Sequence, residues 1–403
     1  DLQGPEIRIE LPQEKPFAMK KGDKVTFTAD RQKKGDHLIY IPEKIIEYFS
    51  KGSLILADDG ACEFIITEMK ADGFEAQSVC GCQVEHRKTM NTPGTILGMP
   101  SLTERDRQYL DAIDSEFIDF VGLSFVRDAV DVENLQTALK KRKIEAGIIA
   151  KIENQAALDN LNEIIQASDG IMIARGDLGI EVDYRQLTYW QKKIIERCRD
   201  AAKPVITATQ MLKPMISHPR PTRAEVSDVA NAIYDGTDAV MLSGETTIGS
   251  YPIEAVKTQA EIAQYNEQHT EHEIKWPNNI SNSLNITSNA ANLLKHSQQQ
   301  IDRVVCLTET GRTARLLSRF RPKLPIYAVT HDENTYRALA LSYGVQPELL
   351  DFPEGRIDFS PEIKTKFIEA GIVHPGETIL VVHGSVWKKP GLTNTITLVN
   401  IPE

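Results

Sequence analysis

Residues 148–181 read IIAKIENQAALDNLNEIIQASDGIMIARGDLGIE, and this stretch decides the fold. It opens on a short apolar run at 148–150, which has the composition of a buried strand, and a second apolar run covers 170–174. Between the runs, apolar residues recur at helical spacing over 154–167. The pattern predicts a β-α-β unit with parallel strands. Such units carry their binding groups at the carboxyl ends of the strands.

Each of the two strand ends carries a charged pair, Lys151 with Glu153 and Arg175 with Asp177. Because a strand alternates faces with period two, the members of each pair should point the same way. Neighbouring strands lie ~4.8 Å apart. We therefore expect Glu153 and Asp177 to share one Mg²⁺ (or Mn²⁺), which keeps water ligands that a phosphate replaces. Lys151 and Arg175 would add positive charge beside the metal.

Two glycines, Gly176 and Gly179, accompany these charges. They let the backbone approach a ligand, and their amide N–H groups could hold a carboxylate. The grouping suits an anionic, phosphorylated substrate. The alternative is a pair of internal salt bridges, which use the same residue types. On this stretch alone both interpretations stay open.

Length and composition limit the possible classes. A chain of 403 residues has room for two or three domains. The net charge of −11 argues against nucleic acid as a partner. No apolar run approaches the ~18 residues of a membrane span, so we expect no membrane segment. Five cysteines, an odd number, fit a reducing cytoplasm better than secretion.

The pattern of strands changes along the chain. Short β-type runs predict a small all-β module over 9–90, at 24–28, 37–41, 53–57, 63–68 and 74–79. Further on, apolar runs alternate with helical segments, at 120–124, 148–152, 170–174, 204–208 and 239–242. This alternation predicts a (β/α) barrel or a doubly wound sheet, with the β module inserted between two strands.

All five of these later strands end in polar groups. The groups are Ser124, Lys151 with Glu153, Arg175 with Asp177, Thr207 with Thr209, and Ser243 with Glu245. In a barrel the ends converge at one mouth, where barrel enzymes keep their active sites. Five such endings favour an active site over isolated salt bridges.

A third region follows a polar, aperiodic segment at 265–284, which suits a linker. Here a strand at 303–307 leads into the loop 308–313 and then into a helix. A strand, a Thr/Gly loop and a helix N-terminus together form an anion site. The alternative is a simple capped helix start.

Several motifs closely resemble the pyruvate kinase family, in order over nearly the whole chain. They are GPEIR at 4–8, KIEN at 151–154, ARGDLG at 174–179, ATQML at 208–212, PRPTRAEVSDVANAIYDG at 219–236, MLSGET at 241–246 and TETGRT at 308–313. The resemblance implies a TIM-type (β/α)8 barrel formed by 1–8 and 91–267, a β-barrel lid at 9–90 and a C-terminal α/β regulatory domain at 268–403. On that mapping the first two barrel strands precede Asp1, and we expect the molecule to contain them.

The resemblance also implies a reaction, phosphoryl transfer from phosphoenolpyruvate to ADP giving pyruvate and ATP, the last step of glycolysis. Glu153 and Asp177 match the divalent-metal ligands. Lys151 matches the lysine that offsets charge on the moving phosphoryl group. Gly176, Asp177 and Thr209 match the contacts to the substrate carboxylate. Thr209 also lies where the family protonates the enolate, and since a free hydroxyl is a poor acid a proton relay is needed.

The resemblance implies roles for three further sets of residues. Nucleotide-phosphate and lid contacts are matched by Arg8, Lys88 and Asp59. Positions that support the site are matched by Ser124, Arg175, Ser243 and Glu245. The loop for an effector phosphate is matched by Thr308, Thr310, Gly311, Arg312 and Thr313. The family further implies a cytoplasmic, allosteric homotetramer regulated by a phosphorylated metabolite.

Potassium is a separate expectation. The family's K⁺ ligands map to the side chain of Asp1 and the backbone carbonyl of Leu2. Glu6 stands where K⁺-dependent members carry glutamate, although Leu2, Gln3 and Ile9 resemble the neighbours of a lysine at that position. We expect K⁺ dependence, since Asp1 and Glu6 lack a lysine nearby in the sequence and leave negative charge that needs a cation.

The chain also departs from the family pattern. Leu2-Gln3 and the run TMNTP at 89–93 differ from the common residues, and Glu309 replaces a lysine of some effector loops, which argues against a bisphosphate effector. Two alternatives remain. One is a Mg²⁺-dependent aldolase acting through a pyruvate enolate, which would not need Arg8 and Lys88. The other is an inactive barrel that serves as a metabolite-sensing subunit.

Overall fold

Three groups of strands and helices follow one another along the chain. The structure, a computed structural model, describes residues 1–95, 97–273, 281–297, 300–352, 355–389, 391 and 393–403. Within these ranges no helix is both long enough and apolar enough to cross a membrane.

The first group is all-β, as the short alternating runs predict. Its strands are β1 (Phe17–Met19), β2 (Lys24–Thr28), β3 (Leu38–Tyr40), β4 (Leu54–Ala57), β5 (Cys62–Lys70), β6 (Gly73–Ser78), β7 (Cys82–Val84) and β8 (Met90–Asn91). Six of them form a sheet in the order β3-β2-β6-β5-β4-β8, and β1 pairs with β7. The core rings of Phe27 and Phe74 stack 5.0 Å apart, and Phe64 meets Phe27 edge-on at 5.6 Å. We call this group the lid.

The second group alternates strands and helices. Its strands are β9 (Phe120–Leu123), β10 (Gly147–Ile152), β11 (Gly170–Ala174), β12 (Val205–Ala208) and β13 (Ala239–Met241). Its helices are α1 (Glu104–Ala112), α2 (Ala129–Arg142), α3 (Gln155–Asp159), α4 (Leu161–Ala167), α5 (Arg175–Glu181), α6 (Leu187–Ala201), α7 (Arg223–Asp235), α8 (Gly244–Thr247) and α9 (Pro252–Gln268).

The strands of this second group pair in parallel and in sequential order, as in a barrel wall. Leu2 adds a parallel bridge to Leu123, on the side of β9 away from β10. The register aligns Lys151 with Met172 and Ala174 with Ala208. The carboxyl ends of neighbouring strands therefore meet at one edge, which gathers the predicted site residues.

The start of the chain is fixed to this barrel wall through a capped helix. Thr103 caps α1 in a capping box with Asp106. The other carboxylate oxygen of Asp106 accepts the backbone N–H groups of Gln3, at 3.0 Å, and Gly4, at 3.3 Å. Since Asp106 is fully buried, this single side chain both caps a helix and anchors 1–4 beside β9.

Two predictions for 148–181 are wrong in detail. The helix predicted over 154–167 is broken into α3 and α4 at Asn160, whose side-chain amide donates to the carbonyl of Arg127 at 3.0 Å. Asparagine competes with a helix in this way by bonding outside it. Further on, β11 ends at Ala174 and α5 begins at once, so Arg175 and Asp177 lie on a helix. Helix residues two apart do not face the same way.

The third group is a second α/β layer. Its strands are β14 (Arg303–Leu307), β15 (Ile326–Thr330), β16 (Val345–Leu349), β17 (Gly355–Arg356), β18 (Thr378–Gly384), β19 (Val386–Trp387) and β20 (Thr393–Asn400). Its helices are α10 (Asn282–His296), α11 (Arg312–Ser318), α12 (Glu333–Leu339) and α13 (Pro361–Glu369). The main sheet has the order β16-β15-β14-β18-β20, with β20 antiparallel.

The junction before this third group differs from the predicted linker. Helix α9 continues to Gln268, so the polar residues after 265 begin inside a helix. Part of the predicted linker, 274–280, lies outside the described residues. Ion pairs join the third group to the barrel, including Arg321 with Asp238 at 3.0 Å and Arg337 with Asp119 at 2.8 Å.

Candidate active site

Lys151 lies at the centre of the strand-end cluster. Its ammonium Nζ is 2.8 Å from a carboxylate oxygen of Glu153, 2.9 Å from the Ser124 hydroxyl and 3.7 Å from the Asp1 carboxylate. Ser124 in turn donates to the carbonyl of Leu2 at 2.8 Å. The ends of β9 and β10 and the start of the chain thus contribute to one cluster, in which Lys151 and Glu153 meet as their i, i+2 spacing predicts.

Two acidic side chains face this lysine. Glu153 is 1% exposed, and its second oxygen accepts the backbone N–H of Phe125 at 2.7 Å. Burial raises the pKa of Glu153, the charge of Asp177 raises it further, and Lys151 opposes both effects. Burial also raises the pKa of Asp177, and the charges of Asp59 and Glu6 add to this against Lys151. Two carboxylates thus face a single ammonium.

This charge balance fits a hard divalent cation. In the part of the chain that the structure describes, no group of three His, Cys, Asp or Glu side chains could hold a metal. Mg²⁺ does not need such a cage, because it commonly takes one or two carboxylates and completes its octahedron with phosphate oxygens and water. Glu153 and Asp177 supply that number of ligands.

Thr209 has an unusual backbone conformation. Its φ is +66°, which is rare for a β-branched residue. Its hydroxyl donates to the carbonyl of Ala208 at 2.7 Å and accepts the N–H of Gly176 at 2.7 Å. The prediction that the Gly176 amide is free for a ligand is therefore wrong in this structure. A substrate carboxylate bound there would replace the Thr209 hydroxyl.

Arg175 does not lie beside the metal ligands, which corrects the prediction from strand alternation. Since α5 begins at Arg175, the side chain turns to the opposite side from Asp177. Its guanidinium is 7% exposed and forms an ion pair with Asp228 at 2.7 Å. It also donates to the carbonyls of Ala208, at 3.1 Å, and Thr209, at 2.6 Å. Arg175 thus lies behind Thr209.

Another predicted support residue, Glu245, also contacts this loop. It is 2% exposed, and its two oxygens accept the backbone N–H groups of Leu212, at 3.0 Å, and Ser243, at 2.9 Å. Glu245 therefore joins the end of β13 to the loop that follows β12. The structure brings Ser243 and Glu245 together as predicted.

The predicted nucleotide contacts lie where the lid joins the barrel. Arg8 pairs with Glu6 through two hydrogen bonds of 2.8 and 3.0 Å and also donates to the carbonyl of Arg87. Lys88 lies 2.9 Å from Asp58 and 3.3 Å from Glu85. Both cations are thus neutralised by neighbouring acids, and nucleotide phosphates would have to replace those acids.

Three further residues at the site were not predicted from the sequence. A cleft of about 420 Å³ beside Asp177 is lined by Phe125, Asn91 and Glu181, among others. Asn91 donates to Glu181 at 3.3 Å, and burial raises the pKa of Glu181. Glu181 lies four residues after Asp177, so a helix over 175–181 places both side chains on one face. This spacing is the sequence signal for Glu181.

The predicted potassium residues lie next to the lysine cluster. The Asp1 side chain is 54% exposed and faces Lys151, and the Leu2 carbonyl accepts the Ser124 hydroxyl. The premise that Glu6 lacks a cation is wrong, because Arg8 pairs with it and Gln3 donates to it at 2.7 Å.

The predicted effector loop lies at the start of α11 in the third group, far along the chain from Lys151. Thr308 and Thr313 are each 4% exposed, and the Thr313 hydroxyl is 2.7 Å from that of Thr393. Gly311 has a φ of +74°, and Arg312 is exposed. The Thr310 carbonyl accepts a hydrogen bond from Arg315. Glu309 is occupied within the fold, since it accepts the N–H of Lys388 at 2.7 Å.

Parallel strand ends that present a lysine facing one buried and one half-buried carboxylate, beneath a β lid, define a metal-assisted barrel enzyme for an anionic substrate. Comparison with known families gives a narrower result. Residues 1–256 match the model of the pyruvate kinase barrel domain, and residues 285–399 match that of the pyruvate kinase alpha/beta domain. This chain belongs to the pyruvate kinase family, a family of phosphotransferases.

Individual relatives support the same assignment. Pyruvate kinase of Clostridium acetobutylicum is 37% identical over 404 residues, which cover 98% of this chain and 85% of the relative. Pyruvate kinase of Geobacillus stearothermophilus is 37% identical over 407 residues, covering 98% and 68%. The crystal structure of a pyruvate kinase from Cryptosporidium parvum superposes with a TM-score of 0.88 at 31% identity, covering 100% of this chain and 83% of that one.

These comparisons confirm the family resemblance, the barrel fold class and the enzyme class. They give no support to the aldolase alternative, and they do not assign individual site residues.

Proposed function

We propose that this chain transfers the phosphoryl group of phosphoenolpyruvate to ADP, with Glu153 and Asp177 as protein ligands of Mg²⁺ or Mn²⁺. The observation that carries the proposal is that Glu153, which is buried, and Asp177, which is half-buried, both face the single ammonium of Lys151, and that burial raises the pKa of both acids. When bound, the ion would polarise the phosphoryl oxygens and neutralise their charge. The family assignment supports the reaction.

The reaction breaks the bond between the enol oxygen and phosphorus, and a terminal oxygen of ADP forms the new bond. Lys151 places its ammonium beside the transferred group and offsets the charge that spreads over the equatorial oxygens. Glu153, at 2.8 Å, and Ser124, at 2.9 Å, take two of its three N–H donors and leave the third for the phosphoryl group. Arg8 and Lys88 would hold the nucleotide phosphates, with Asp59 on the lid side.

The enolate left behind must gain a proton at its methylene carbon. Thr209 and the Gly176 amide form a hydrogen-bonded pair at 2.7 Å, and we assign both, with Asp177, to the substrate carboxylate. A threonine hydroxyl is too weak an acid to act alone, so Thr209 would relay a proton from water. Ser124 orients Lys151 at 2.9 Å, and Glu245 holds the loop after β12.

Further properties belong to the same proposal. The family assignment supports a cytoplasmic homotetramer and a phosphorylated effector at 308–313. The domain bounds remain 1–8 with 91–267, 9–90 and 268–403, although β8 (Met90–Asn91) pairs with β4 across the bound at 90. K⁺ would be held by Asp1 and by the Leu2 carbonyl.

A coupled assay with phosphoenolpyruvate, ADP, Mg²⁺, KCl and lactate dehydrogenase tests the reaction. The chain should produce pyruvate, and Asp177→Ala or Glu153→Ala should remove most of the activity even at saturating Mg²⁺. Asp183→Ala is a matched control, because that carboxylate lies in the same stretch but pairs with Arg185 at the surface. An inactive wild type would favour the metabolite-sensing alternative. A loss of only a few-fold in both site variants would contradict the metal assignment.

A further inference from the structure

The turn that carries Thr209 is strained at two consecutive positions. Thr209 has a φ of +66° and Gln210 a φ of +55°, and neither is glycine. L-residues in this left-handed region place Cβ too close to the backbone, and a β-branched side chain makes this worse. Such a conformation persists only where the surrounding structure holds it.

Arg175 provides contacts that can hold this turn. An arginine has five N–H donors in a rigid fork, and all five of Arg175 are used. They go to the carbonyls of Ala208 (3.1 Å) and Thr209 (2.6 Å), the Met211 sulfur (2.8 Å), Gln191 (3.2 Å) and Asp228 (2.7 Å). The first three acceptors belong to the strained turn or flank it directly.

The other two acceptors fix the guanidinium itself. Asp228 lies on α7, and Gln191, which is 4% exposed, lies on α6. The fork is therefore anchored on the barrel helices and presents two donors to successive carbonyls of the loop. Rotation of the peptides before and after Thr209 would relieve the two positive φ values but would take the Ala208 and Thr209 carbonyls away from Arg175.

We propose that Arg175 is a positioning residue that holds Thr209 and Gln210 in the left-handed conformation. In that conformation the Thr209 hydroxyl meets the Gly176 amide, where the substrate carboxylate would bind. This inference rests on the proposed function of Thr209. Arg175 itself does not touch substrate or metal, since its donors all face the loop and the helices. Its loss should therefore impair proton delivery to the enolate more than phosphoryl transfer.

The variant to test is Arg175→Lys, which keeps the charge but has no fork to reach both carbonyls. Two reactions are measured: phosphoryl transfer by the coupled assay, and exchange of the pyruvate methyl hydrogens with deuterated water in the presence of Mg²⁺ and ATP. We expect the exchange rate to fall about a hundredfold, because misplacing a reacting group by about 1 Å costs roughly that factor. KM for ADP should change by less than about twofold.

Arg321→Lys is a matched control. Arg321 is also 7% exposed and also donates to a backbone carbonyl, that of Gly236 at 2.7 Å, and to a carboxylate, that of Asp238 at 3.0 Å. Its carboxylate partner precedes β13, at the end of the barrel away from the site. This variant should lower the melting temperature without changing the ratio of exchange to phosphoryl transfer.

A second substitution distinguishes positioning from general stability. Glycine adopts positive φ freely, so Gln210→Gly removes strain at an exposed position of the turn. Added to Arg175→Lys, this substitution should raise the exchange rate about tenfold. In the wild type it should change the exchange rate little. Should Arg175→Lys fail to fold, Asp228→Asn, which keeps the side-chain volume and loosens the guanidinium, should show the same preference for exchange over transfer.

An equal loss of exchange and transfer, without recovery by Gln210→Gly, would overturn the positioning role and leave Arg175 a structural residue. A wild type that lacks phosphoryl transfer would overturn the proposed function instead.

Discussion

Replacing Lys151 with methionine removes the ammonium and keeps the length and apolar stem of the side chain. A unit charge ~4 Å from a phosphoryl oxygen, at an effective dielectric constant of ~20, is worth about 4 kcal/mol. Only the share gained between substrate and transition state affects turnover. Since ~1.4 kcal/mol corresponds to a tenfold change in rate, we expect kcat to fall by about a hundredfold to a thousandfold.

The same variant should not weaken metal binding. Without the ammonium, Glu153 loses a competing cation at 2.8 Å, and a bound divalent cation takes over as the counter-charge of Glu153 and Asp177. Affinity for Mn²⁺, measured by titration, should therefore stay equal or increase. The fold should lose stability, because Glu153 is 1% exposed and breaking a buried ion pair costs about 3–5 kcal/mol. Turnover must be measured well below the melting temperature.

The control is Lys203→Met, which removes a half-buried lysine that donates to the carbonyl of Ser168, near the opposite ends of the strands. It should lower stability without the loss of turnover. If Mn²⁺ affinity and turnover fell together in Lys151→Met, Lys151 would be a structural member of the cluster and the argument from transition-state charge would be refuted.

Three other predictions follow from the structure. Arg312→Ala should abolish activation by any phosphorylated effector, measured as the shift in phosphoenolpyruvate dependence, and a wild type that no phosphorylated metabolite affects would leave the loop a helix start. Glu6→Lys should relieve K⁺ dependence, and equal rates of the wild type with and without KCl at matched ionic strength would sink the K⁺ assignment. Burial and the charges of Arg199 and Arg321 lower the pKa of His272 to about 4. Since an unfolded histidine titrates near ~6.5, stability should be full above that pH and fall as the pH drops toward 4. His272→Gln should flatten the melting temperature over this range, and an unchanged slope would contradict the cause.

Sequence periodicity was sufficient for the strands and for part of the site. Alternation at the end of β10 predicts that Lys151 and Glu153 lie together, because alternation is a local property of a strand. The convergence of Ser124, Lys151 and Thr209 follows from parallel strand order, which the alternation of strands and helices predicts. The family motifs then supplied the chemistry that residue types alone left open.

Other features depended on partners distant in the sequence, and local patterns could not show them. Strand alternation predicts Arg175 beside the metal, but β11 ends at Ala174 and Arg175 begins a helix. Asp228, 53 positions away in the sequence, holds the guanidinium. The charge of Glu6 is offset by Arg8, only two residues on, because both side chains turn to the same side of an extended segment. Alternation along the extended segment is therefore sufficient to predict this pairing.

The pairing of Glu6 with Arg8 joins the nucleotide assignment to the potassium assignment. Arg8 cannot serve ADP phosphates fully while its Nη2 and Nε remain on Glu6, at 2.8 and 3.0 Å. When the nucleotide takes Arg8, Glu6 loses its cation, and its charge already acts on Asp177. The positive charge that Arg8 supplies to Glu6 in this structure would then be missing. A monovalent cation beside Asp1 would compensate for that loss, and we therefore expect any dependence on K⁺ to be strongest in the complex with bound nucleotide.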